Sequence, residues 1–88
     1  MHAIRVSYWA AAKSAAGVAS DDIAVDAAIS LSEVVRRAVA LHPDSRLPDV
    51  LKACSALVGD RPVSSEDPDT VMVPPGSSVE FLPPFAGG

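Results

Sequence analysis

The residues best suited to chemistry are the last two of Leu82-Pro83-Pro84-Phe85-Ala86-Gly87-Gly88. A carboxyl group on Gly88 has no Cβ on its own residue or on the one before. A partner enzyme can therefore grip it in a slot too narrow for any side chain. A carboxylate is a poor electrophile, so acyl chemistry at this end needs activation from elsewhere. Pro83 and Pro84 hold φ near the extended value and lack the N–H a central strand requires, so they end the fold and stiffen its exit. At about 3.3 Å per extended residue, the segment from Pro83 to Gly88 reaches roughly 20 Å. The expected organisation is a folded domain over residues 1–82 and an extended reactive tail over 83–88.

No other set of side chains competes with this tail. Cys54 has no base near it in sequence and reads as a small core residue. His2 and His42 are too isolated for a metal site. Arg36 and Arg37 read as a solvated helix face, and Asp21-Asp22 and Glu66-Asp67 as loop charges. No glycine-rich phosphate loop precedes a helix, and two histidines so placed assemble no Ser/His/Asp set.

The chain has 88 residues, 49% of them hydrophobic, which is enough for one domain with one core. A formal net charge of -4 argues against nucleic-acid binding, which normally requires a basic patch. No stretch approaches the roughly 20 apolar residues that span a bilayer. Met1-His2-Ala3-Ile4-Arg5 leads straight into a strand pattern, and one cysteine excludes an internal disulfide framework. A cytoplasmic protein is expected.

The elements that must carry the tail follow from periodicity. Ala3 to Trp9 alternates as a strand, and Ala10 to Ala16 forms a short helical turn that stops at Gly17. Asp22 to Asp26 makes a second strand. Ser30-Leu31-Ser32-Glu33 has the form of a capping box, opening a helix with Leu31, Val34, Val35, Ala38 and Leu41 on its apolar face. His42-Pro43 ends it. Pro48 to Lys52 reads as another short turn. Ala56-Leu57-Val58 reads as a strand, Gly59-Asp60 as a tight reversal, and Arg61-Pro62-Val63-Ser64 as an edge strand. Pro74-Pro75-Gly76 reverses the chain again, and Ser78 to Leu82 forms the last strand.

This order predicts an α+β fold of the β-grasp, ubiquitin-like kind: a mixed sheet of four to five strands with one main helix on one face. The first and last strands are expected as central neighbours. If Tyr8 and Phe81 face the helix, Trp9 and Leu82 face away from it, and Pro62 completes an apolar patch for a partner. The alternative is that Trp9 packs under the alanine-rich turn.

Two segments carry a resemblance to a known family. Tyr8-Trp9-Ala10-Ala11-Ala12-Lys13-Ser14-Ala15-Ala16-Gly17 is similar to the aromatic pair and alanine-rich turn of the small subunit of molybdopterin synthase. Val79-Glu80-Phe81-Leu82-Pro83-Pro84-Phe85-Ala86-Gly87-Gly88 resembles that family's final strand, double proline and diglycine. Phe85 is bulkier than the residue usual there. The resemblance implies a sulfur carrier that binds no cofactor itself. An E1-like enzyme using ATP and Mg would adenylate Gly88, a persulfide protein would supply sulfur, and a C-terminal thiocarboxylate would result. The large catalytic subunit, in a heterotetramer, would receive Gly87 and Gly88. Trp9, Pro62, Leu82, Pro83, Pro84, Phe85 and Ala86 would meet partners, with neither nucleic acid nor membrane involved. Rival readings are a carrier for thiamine or cysteine synthesis, a ubiquitin-like modifier joined to lysine, and an inert interaction domain.

Overall fold

Ile4, Val6 and Tyr8 alternate with Ala3, Arg5 and Ser7, and this period of two produces β1 (His2–Tyr8) with its apolar residues buried. The computed structural model describes residues 2–84. After β1 come α1 (Ala11–Ala16), β2 (Ser20–Val25), β3 (Ile29–Ser30), α2 (Leu31–Ala40) and α3 (Leu47–Ala53). They are followed by β4 (Ser55–Val58), β5 (Arg61–Pro62), β6 (Met72–Val73) and β7 (Ser78–Leu82). Five strands form a mixed sheet in the order β2-β1-β7-β4-β5, and β3 pairs with β6 in a separate ribbon. β1 and β7 run parallel, with Val6 opposite Val79 and Tyr8 opposite Phe81. The neighbours on either side, β2 and β4, are antiparallel to them. This is the expected ubiquitin-like β-grasp arrangement.

The main helix starts where its sequence says it should. The Ser30 hydroxyl accepts the Glu33 N–H at 3.1 Å, so the first half of the capping box forms. Glu33 does not close the box; its carboxylate instead takes the guanidinium groups of Arg36 and Arg37, the latter at 2.8 Å. These charge-assisted bonds, Arg36 first, hold the Glu33 carboxyl down at about 2. The N–H groups of Leu31 and Ser32 donate to the Val71 and Pro68 carbonyls, so the loop before β6 satisfies donors the helix cannot. Leu31, Val34 and Ala38 then enter one buried cluster with Ile4, Val6, Val79 and Phe81.

Several elements differ from the sequence reading, each for a physical reason. Trp9 lies outside β1, because Ala10 takes φ 53° and turns the chain toward α1. The turn expected at Pro48–Lys52 is the helix α3, in whose first turn Pro48 loses no hydrogen bond. β3 and β6 were not anticipated, since two residues apiece carry no readable period. The edge strand stops at Pro62, and Val63 turns into the core. Leu41 is exposed as the C-cap residue of α2, one position beyond the helix that was to bury it.

Asp21 is likewise more than a loop charge, and His42 is not isolated. Asp21 stands opposite Val6 in the β1–β2 register and so points inward. Its Oδ2 accepts the Tyr8 hydroxyl at 2.8 Å and meets His42 Nε2 at 2.5 Å. Burial, followed by the bond to Asp21, pushes the Tyr8 phenol above its ordinary value and keeps it a neutral donor.

The Glu33 pairs set an acid limb. A folded carboxyl held at about 2, against an ordinary 4.5, stabilises the protein above the ordinary value and loses that contribution as pH falls from 4.5 toward 2. Glu33→Gln is therefore expected to lower the thermal midpoint at pH 7 and to flatten its decline between pH 5 and pH 2. Thermal unfolding across that range measures both.

Candidate functional site

The candidate site lies where β1 and β7 end together. Because the two strands are parallel, their C-terminal ends share one edge of the sheet. The Trp9 N–H donates to the Phe81 carbonyl at 3.1 Å, carrying the pairing one residue past β1. Ala10 then turns at φ 53° and ψ -121°, a region that L-residues rarely occupy, and α1 begins. From the adjacent strand the chain leaves through Pro83 and Pro84, both exposed. Phe85, Ala86, Gly87 and Gly88 lie outside the described residues.

Side-chain parity divides the sheet into two faces. Tyr8 and Phe81 are buried on the helix face, with their rings stacked at 6.4 Å. Trp9 is 49% exposed, and its indole N–H donates to Glu80 Oε1 at 3.1 Å. Glu80 belongs to the outer face, opposite Ser7 on one side and Leu57 on the other. Leu82 is half-buried on the same face, opposite Ser55. Pro62 is exposed on β5 opposite Leu57, two strands from β7, or roughly 10 Å at the usual strand spacing. Trp9 and Leu82 thus share the tail end of the outer face, while Pro62 reaches them only through Leu57. Sequence reading missed Leu57 as a site residue, although its place between Ala56 and Val58 signals the outward parity.

Trp9 is also tied to the alanine-rich turn through its backbone, its carbonyl accepting the Ala12 N–H at 3.1 Å. A groove of about 270 Å³ opens beside it, walled by Trp9, Ala11, Val50, Ala53, Pro83 and Pro84. Cys54 is at its base, partly buried against the core, and burial pushes its thiol up. A raised thiol is a weak nucleophile at neutral pH, in keeping with the packing role expected of it. Among the described residues no three His, Cys, Asp or Glu side chains gather as a metal site. No helix there is long and apolar enough to cross a membrane.

The arrangement offers little that could catalyse and much that could be held. It presents an apolar indole, an exit of two stiff prolines, and an outer sheet face of mixed polarity.

No protein-family profile matches the chain, and no curated protein matches it by sequence. Solved structures share its fold. A Pyrococcus furiosus protein named as molybdopterin converting factor subunit 1 aligns with a TM-score of 0.72 at 18% identity, covering 97% of this chain and 100% of that one. The Haloferax volcanii protein HVO 2177 aligns at 0.75 with 22% identity, covering 99% and 87%. Small archaeal modifier protein 1 of Haloferax volcanii aligns at 0.72 with 12% identity, covering 97% and 100%. At these identities the likeness is one of fold, and it is the fold that the sequence resemblance implied.

The bend at Ala10 is testable by itself. A non-glycine residue held there costs on the order of 1–3 kcal/mol, and glycine removes that strain at a smaller cost in chain entropy. Ala10→Gly is expected to stabilise the protein by about 1 kcal/mol, read from denaturant unfolding.

Proposed function

We propose that this chain is a sulfur carrier that works on its own C-terminal carboxylate, as the small subunit of molybdopterin synthase does. One observation supports the reading above others. β7, held between β1 and β4, runs without interruption into exposed Pro83-Pro84, beside exposed Trp9, and the sequence then continues as Phe85-Ala86-Gly87-Gly88. The proposed division is a rigid body and a terminal probe.

In the first step an E1-like partner binds ATP with Mg. A carboxylate oxygen of Gly88 attacks the α-phosphorus, and pyrophosphate leaves. The terminal sulfur of a protein persulfide then attacks the acyl carbon, and AMP departs. A thiol cleaves the resulting acyl disulfide, leaving a thiocarboxylate on Gly88 and a disulfide on the sulfur donor. In the large catalytic subunit of molybdopterin synthase, within a heterotetramer, that sulfur would pass to a cyclic pyranopterin phosphate to build the dithiolene. Acid–base groups and the nucleotide site belong to the partners, and this chain contributes reach and orientation. Gly87 and Gly88 keep the acyl carbon uncrowded, and Pro83 to Ala86 line the approach. Trp9, Leu82, Leu57 and Pro62 form the proposed docking face. The setting is the cytoplasm, where the Cys54 thiol stays reduced.

A second reading rests on the fold shared with small archaeal modifier protein 1. As a modifier, the chain would pass its Gly88 acyl group to a lysine amine instead of accepting sulfur. A carrier for thiamine or cysteine synthesis would share the loading steps and differ only in the acceptor.

Intact mass spectrometry of the protein after incubation with an activating enzyme, ATP and a persulfide donor separates these outcomes. The expected product has one terminal oxygen replaced by sulfur. Lysine conjugates would support the modifier, and an unaltered terminus would defeat both. Deleting Gly87-Gly88 is expected to abolish loading while leaving thermal unfolding unchanged.

A further inference from the structure

Glu80 places a carboxylate in the middle of the outer sheet face, and among the described residues no cation pairs with it. Its cross-strand neighbours are Ser7 and Leu57, and the outward positions beside it on β7 are Ser78 and Leu82. The side chain is half-buried and accepts the Trp9 indole N–H at 3.1 Å. Arg5 shares this face, opposite Ser78, but it pairs at 3.2 Å with Asp22, directly across from it on β2. Glu33 takes Arg36 and Arg37, and Glu66 takes Arg61. Lys13 belongs to α1, Lys52 to α3, and Arg46 to the cap of α3.

We propose that Glu80 and Trp9 together form the receptor for an arginine of the activating enzyme that grips the tail. This inference deepens the sulfur-carrier reading and rests on it. Desolvation decides the partner's chemistry. Trp9, Leu57 and Leu82 adjoin Glu80, so a protein that covers these apolar groups strips water from the carboxylate as well. A carboxylate left dry without a counter-charge opposes association more strongly than a few apolar contacts favour it. A partner fitted to this face therefore brings a cation to its centre. The chain's net charge of -4 adds attraction at longer range.

A guanidinium fits better than an ammonium. The indole N–H engages Oε1, and no other hydrogen bond among the described residues reaches Oε2. An arginine can donate to that oxygen while its flat group lies against the indole, which is 49% exposed. A lysine supplies the charge without the planar fork. Because the bond to Glu80 ties the ring to the acid, both are arranged before the partner arrives, which lowers the ordering cost of docking.

Titration calorimetry with the activating enzyme tests this on the full-length chain, comparing the parent with Glu80→Gln, Glu80→Arg and Asp26→Asn. Glu80→Gln keeps an oxygen for the indole and removes the charge, whereas Asp26→Asn removes the same charge from the exposed segment beyond β2. Glu80→Gln is expected to weaken binding roughly tenfold or more, as loss of a charge-assisted bond does, with the thermal midpoint unchanged. Asp26→Asn is expected to stay within about twofold of the parent, because exposed charges are screened. Glu80→Arg is expected to bind more weakly still, and to be restored by reversing one arginine of the enzyme to glutamate. Parent-like binding by Glu80→Gln would overturn the proposal, and so would equal losses for Glu80→Gln and Asp26→Asn, which would assign the effect to overall charge. Restoration through a lysine instead of an arginine would overturn the guanidinium assignment. A parent that acquires sulfur while Glu80→Gln binds as tightly defeats this inference alone. A parent that neither binds nor acquires sulfur defeats the carrier reading as well.

Discussion

The parallel pairing of β1 with β7 is the constraint from which the rest of the architecture follows. Two adjacent strands running the same way need a long connection, and everything between Tyr8 and Ser78 serves as that connection. The intervening chain adds β2 and β4 to the flanks and carries α2 across the buried face. It also forces the two strands to finish at the same edge. Had they been antiparallel, Pro83 would leave the body at the end opposite Trp9, and no tail exit could stand beside an indole.

The pairing also fixes which side chains are available. Tyr8 opposite Phe81 and Val6 opposite Val79 place the large apolar groups of both central strands inward. Inward placement obliges the Tyr8 hydroxyl to find a partner, and Asp21 supplies one from β2 while drawing in His42 from beyond α2. A polar junction of buried Tyr8 with the half-buried Asp21 and His42 thus ties three parts of the chain together. On the outer face the same alternation leaves Glu80 free to receive the Trp9 indole. That bond holds the ring across the end of the sheet.

The sequence reading succeeded where a local rule and a tertiary requirement coincided. Ser30 capped its helix, Gly17 closed α1 at a positive φ, and Ser78–Leu82 formed the strand its alternation described. It fell short where the deciding partner was remote in sequence. β3 and β6 exist because the loop before β6 supplies carbonyls to the start of α2. Asp21 looked like a solvated loop residue until β1 and α2 closed around it. Leu57 joined the outer face only through its register with Glu80 and Pro62.

By itself, the sequence determined the α+β class, the inward parity of Tyr8 and Phe81, and the double proline that ends the final strand. These are properties of neighbours along the chain: period, capping and the missing N–H of proline. Only the tertiary structure decided that Trp9 stands beside Pro83, that Pro62 lies two strands away, and that α1 and α3 leave an apolar recess at the exit. Those facts depend on strand order and direction, which are set by how the whole chain buries one common core and not by any local run of residues.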